Sequence, residues 1–168
     1  DGLQNLNFAL KPGGVMRLSL YSDRARKGVV SAREFISKTN DTGPVEEKIR
    51  SFRQSIIQGK NSHAKRIFFV TNWPDFHSMS ECRDLFFHAK EHRFTLPKIQ
   101  AMLDKVNLIF AGFEFSSNST SAEFAMKHKS ENANQSLDLW DEYEKENPST
   151  FLGMYQFWVQ KPDANKTV

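Results

Sequence analysis

Apolar residues recur at helical spacing at Leu3, Leu6 and Leu10, and Lys11-Pro12-Gly13-Gly14 then stops the pattern. From Val15 to Tyr21, "VMRLSLY", Val, Arg and Ser alternate with Met and Leu, which predicts a strand. Ser31 with Glu34 three residues on forms a capping-box pattern and predicts a helix through about Ser37. Pro44 opens a second helix, "PVEEKIRSFRQSIIQG", with Ile49, Phe52, Ile56 and Ile57 on one face and Gly59 at its end. "RIFFVTNW" fits helix or strand. Ser78 or Ser80 caps a short helix, "SECRDLFFHA", and "EHRFT" breaks it. Thr95 and Pro97 start the helix "LPKIQAMLDKV", and Asn107–Phe115, "NLIFAGFEF", reads as a strand. Ser116–Gln135 is polar and reads as surface. The helix "SLDLWDEYEKEN" and the last strand, "MYQFWVQK", follow. Helices interleaved with strands imply α/β packing in one domain, residues 1–168. Three strands are few for such a sheet, so the sheet reads as incomplete.

Composition narrows the classes. The chain has 168 residues, 39% of them hydrophobic, enough for a real core with fifteen Phe in it. A net charge of +3 spread over mixed signs does not suggest a nucleic-acid binder, since basic residues cluster only at Arg24, Arg26 and Lys27 and at Lys65 and Arg66. Cys82 is the single cysteine. It permits no internal disulfide and fits a reducing cytoplasm. No apolar run approaches the length of a membrane span, so no membrane partner is expected.

"LKPGGVMRLSLYS" resembles the loop and fifth strand of class I S-adenosylmethionine-dependent methyltransferases, and "VNLIFAGFEF" with "GMYQFWVQKP" resembles the antiparallel pair that ends their sheet. "LYSDRAR", "SECRDLFFHAKEHRFT" and "NPSTFLGMYQFWVQKP" are similar to the C-terminal region of bacterial methyltransferases that often carry tetratricopeptide repeats upstream. The resemblance implies an α/β fold, the C-terminal part of a Rossmann-like methyltransferase sheet. That part holds one parallel-type strand, a terminal antiparallel pair and several inserted helices. It implies S-adenosylmethionine as cofactor of the parent protein and a transferase activity there. The glycine-rich turn after the family's first strand, which holds the cofactor, has no counterpart, because Gly13-Gly14 follows a helix and precedes a strand. The cofactor-binding residues that the resemblance implies are therefore expected upstream of Asp1. The chain reads as a fragment, the half without the cofactor site, and is expected neither to bind the cofactor nor to act by itself. A strand with an unfilled edge recruits another strand, so a homodimer or strand exchange is expected.

Tyr21, Ser22 and Arg24 follow the predicted strand at its C-terminal end, where open α/β sheets place ligands. With His88, His92 and Arg93 they are the candidate acceptor-binding residues under the methyltransferase resemblance. The bland reading makes Ser22-Asp23 a helix cap with solvated arginines. "HAKEH", His88–His92, also fits the H-x-x-E-H pattern of a zinc hydrolase, with Glu91 as base and Glu142, Glu144 or Glu146 as third ligand. Its bland reading is a histidine pair near a helix end. The acidic run "DLWDEYEKEN" reads as a solvated face, and Cys82 as a small buried residue. A non-catalytic protein-interaction domain is the competing functional class.

Overall fold

The computed structural model of the chain describes residues 2–39, 42–87 and 91–163. In chain order the elements are α1 (Gly2–Ala9), β1 (Val15–Ser22), α2 (Lys27–Ser37), α3 (Val45–Ile57), α4 (Ser62–Arg66), α5 (Pro74–His77), α6 (Met79–Phe86), β2 (Arg93–Phe94), α7 (Leu96–Lys105), β3 (Ile109–Phe113), α8 (Asn118–Lys127), α9 (Leu137–Glu146) and β4 (Tyr155–Gln160), with 3-10 turns at Phe68–Asn72 and Ala133–Gln135. They form two compact units, one of residues 1–25 and 92–168, the other of residues 26–91.

The first unit carries the sheet, in the order β2-β1-β4-β3. β4 runs antiparallel to both β1 and β3, in the register Val15↔Gln160↔Ile109. The expected terminal pair is therefore present beside β1. A fourth strand is present as well. β2 adds two residues parallel to β1, Tyr21↔Arg93 and Ser22↔Phe94. It lies in "EHRFT", read from sequence as a mere break, because two residues are too few to show an alternation. Tyr155, Phe157 and Val159 of β4 point into a core shared with Leu96, Ile99 and Leu103 of α7 and with Leu137 and Trp140 of α9. Met16, Leu18 and Leu20 of β1 pack against the same core but are only half-buried. The opposite face is open. Val15, Trp158 and Ile109 are exposed there, and Arg17 bridges Glu114 at 2.9 Å.

The Pro-Gly-Gly stop has a steric cause. Gly13 has a positive φ of 73°, and a Cβ at Gly14 would lie 2.7 Å from the Lys11 carbonyl oxygen. The stretch 116–135 departs from its reading as plain surface. α8 lies within it, and Phe124 is fully buried, stacked on Trp140 with ring centroids 3.5 Å apart. The polar residues around one apolar anchor hid the helical period.

The second unit, α2 to α6 with the first 3-10 turn, has its own core around Val29, Phe35, Phe52, Ile67, Phe76 and Cys82. α2 starts at Lys27 rather than Ser31, so Ser31 lies within the helix and caps nothing. The buried stripe Val29, Ala32, Phe35 explains the earlier start. Ile57, expected on the inward face of α3, is 62% exposed because it points about 100° round the helix from Ile56, away from the stripe of Ile49, Phe52 and Ile56. "RIFFVTNW" is helical, not a strand. Ser78 does cap α6, accepting from the Glu81 N–H, whereas Thr95 precedes α7 without a side-chain cap bond. Arg26 and Glu91, the first and last residues of this unit, form a two-point ion pair at 2.7 and 3.2 Å, and Arg33 adds a third bond to Glu91. Among the described residues no helix is long and apolar enough to cross a membrane.

Candidate functional site

β1 buries its last residue, Ser22, and the chain turns through 23–25 before leaving the sheet. That turn is fastened from below by a polar cluster inside the apolar core. Glu144 of α9 is fully buried. One of its oxygens accepts from the Ser22 hydroxyl at 2.5 Å, the other from Arg24 at 3.0 Å, and the Tyr155 hydroxyl reaches both, at 2.9 and 2.7 Å. Arg24 also binds Asp141 at 2.6 Å, and Lys145 binds the other Asp141 oxygen at 2.7 Å. Ser22 in turn accepts from the Ala25 N–H at 3.1 Å. Two carboxylates are thus matched by two cations, as buried charges must be.

The ionisation of the cluster follows from these contacts. The Arg24 guanidinium is pushed up, chiefly by its hydrogen bond to Asp141, against the opposing effect of burial. For Asp141, burial works to raise the carboxyl, but the hydrogen bonds and charges of Arg24 and Lys145 together outweigh it and hold it below its ordinary value. The Tyr155 phenol is pushed far up, first by burial and then by Glu144. It stays a neutral donor at any physiological pH.

The sequence singled out six acceptor-binding candidates, and the fold gathers most of those it describes. Tyr21 and Arg93 are register partners across β1 and β2, and Arg93 approaches Asp23 at 3.8 Å. His92, exposed, precedes Arg93 directly. His88 lies outside the described residues, as does Asp1, upstream of which the cofactor-binding residues are expected. The Ser22 hydroxyl is spent inside the core, and Arg24 is held by two carboxylates rather than solvated. Tyr21, His92 and Arg93 are the other described candidates at this end of the sheet. Sequence reasoning missed Asp141 and Tyr155, and it weighed Glu144 only as a zinc ligand. A signal for them existed: Leu137, Trp140, Asp141 and Glu144 follow the i, i+3, i+4, i+7 spacing of one helix face, so two acids sit on an apolar stripe. The acidic run is thus not wholly a solvated face.

The H-x-x-E-H reading loses its geometry. α6 ends at Phe86, and Glu91 and His92 are not helical, so no helical turn joins the motif's described residues. Glu91 is held by Arg26 and Arg33, and Glu144 by Ser22, Tyr155 and Arg24. Among the described residues no cluster of His, Cys, Asp and Glu is arranged to hold a metal. Cys82 is buried, and its thiol is pushed up by that burial, which suits a core residue.

No family model and no curated protein sequence matches the chain. Among solved structures it is similar to PKMT2 from Rickettsia typhi, with a TM-score of 0.67 at 10% identity, over 98% of this chain and 32% of that one. The chain thus spans about a third of the length of PKMT2. At that identity the likeness speaks to the fold alone: the chain has a methyltransferase-like α/β arrangement.

Proposed function

We propose that the chain is the C-terminal, acceptor-side portion of an S-adenosylmethionine-dependent methyltransferase. The observation that carries the reading is the order β1-β4-β3, an antiparallel terminal pair set beside a strand that follows a Pro-Gly-Gly turn. The fold likeness to PKMT2 supports it. In this reading Tyr21, His92 and Arg93 line the acceptor wall, and the Glu144 cluster fixes the turn that carries it. Orientation of a bound acceptor is what such a wall contributes to a transfer reaction.

The described residues do not fit the cofactor by themselves. A nucleoside-holding turn needs glycines where a strand passes into a helix N-terminus. The passages of that kind among the described residues, at 23–26, at Thr95 and at 114–117, contain none. Gly13, Gly59 and Gly112, glycines with positive φ, lie elsewhere. No transfer step is therefore assigned to these residues. Calorimetric titration of S-adenosylmethionine tests the reading. Residues 1–168 should give no binding heat, and a chain extended upstream of Asp1 by about 150 residues, a typical domain's worth, should bind. Absence of binding by the longer chain overturns the proposal and favours the protein-interaction domain.

A further inference from the structure

The second unit carries a surface that the sheet does not explain. From Asn61 to Val70 the chain buries every third residue, Ala64, Ile67 and Val70, which leaves two outward pairs one turn apart. The first pair is Lys65 and Arg66. The second is Phe68 and Phe69, 50% and 45% exposed. No acidic residue occurs from Lys60 through Pro74, and neither Lys65 nor Arg66 has an ion-pair partner among the described residues. Arg17, Arg24, Arg26, Arg33 and Arg93 are matched by carboxylates, and what sets Lys65 and Arg66 apart is their place beside two exposed rings.

The Phe69 ring is held, not loose. Phe69 meets Trp73 edge to face at 5.7 Å and lies so close to α2 that a Cβ at Gly28 would come within 2.8 Å of it. The stem of Lys65 rests on Gly59, where a Cβ would lie 3.4 Å from it. A fixed aromatic ring beside an arginine is the usual composition of an interface hot spot, because little entropy is lost on binding. We propose that this ledge docks an acidic protein segment bearing apolar side chains, the cations meeting its carboxylates and the two rings meeting its apolar groups. A bilayer would call for a longer apolar face able to sink several ångströms. A nucleic acid would call for more cations in a row than Lys65 and Arg66 to follow its phosphates. The proposal does not depend on the methyltransferase reading.

Fluorescence anisotropy with labelled poly(Glu,Tyr) tests it on residues 1–168, with poly-Glu, phosphatidylglycerol vesicles and oligo-dT as comparison probes. Poly(Glu,Tyr) should bind about tenfold or more tighter than poly-Glu, weaken with salt, and lose about tenfold in the exposed double variant K65E/R66E and in Phe68→Ser. Circular dichroism should show both variants folded. Equal binding of poly-Glu, no loss in the folded K65E/R66E variant, or a preference for vesicles or oligo-dT would each overturn it.

Discussion

Glu144 sits with no exposure among Ser22, Arg24 and Tyr155, and both of its oxygens are taken. Removing one partner of such a set leaves the others desolvated and unmatched, which is why breaking a buried pair costs more than the pair itself contributes. Glu144→Ala should lower unfolding free energy by about 3–5 kcal/mol in urea titrations. Tyr155→Phe, which removes only a donor to a charged group, should cost about 1.5–3 kcal/mol. A difference in the opposite order would mean that Arg24 leans on Asp141 alone. Asp141 also sets a pH response. Its carboxyl is held below its ordinary value, so its contribution is present at neutral pH and is lost as pH falls through the folded-state pKa, below about 4. The urea midpoint of the native chain should therefore drop in that acid range, and Asp141→Asn should flatten the drop.

At the scale of elements, what repeats was legible and what does not repeat was not. α3, α6, α7, α9 and the strands β1, β3 and β4 all show their period over many residues, and each was placed within a few residues. β2 is two residues long and α8 buries a single Phe, so neither offers a period to read. The site was half legible for a related reason. A strand's C-terminal end can be read from the chain, which points to Tyr21, Ser22 and Arg24. The carboxylates that hold Arg24 come from a helix 117 and 120 residues away, and only the fold joins them. The Pro-Gly-Gly stop is a backbone matter. Gly14→Ala, whose Cβ would press on the Lys11 oxygen and the Leu10 side chain, should destabilise by about 1–3 kcal/mol in the same titrations.

For the molecule as a whole, β1 pairs on one side with β4 along most of its length and on the other, among the described residues, only with β2 at Tyr21 and Ser22. The Lys161 N–H bonds the Gly14 carbonyl on the β4 side, and the Asp23 N–H bonds the Phe94 carbonyl on the β2 side. Backbone groups of the odd-numbered residues Val15, Arg17 and Ser19 thus face the edge that β2, two residues long, does not reach. Such an edge takes a strand from a longer chain or from a second copy. Residues 1–168 alone should therefore gain mass with concentration in sedimentation equilibrium. Ser19→Pro, which deletes one N–H of that edge and is tolerated there, should shift the molecule toward single copies. A mass equal to one chain at high concentration would mean that the edge is already protected.

The ion pair between Arg26 and Glu91 has a consequence for how this protein can change through descent. It ties the first residue of the second unit to its last, so the helices between them form a loop closed at its own ends. Lengthening or exchanging what lies between them alters only a loop already closed at its neck, and closure entropy grows slowly with length. Lineages could then swap the helices, and with them the partner met by the Lys65–Phe69 ledge, while β1 and β2 keep their register. The neck is the part that selection would have to spare.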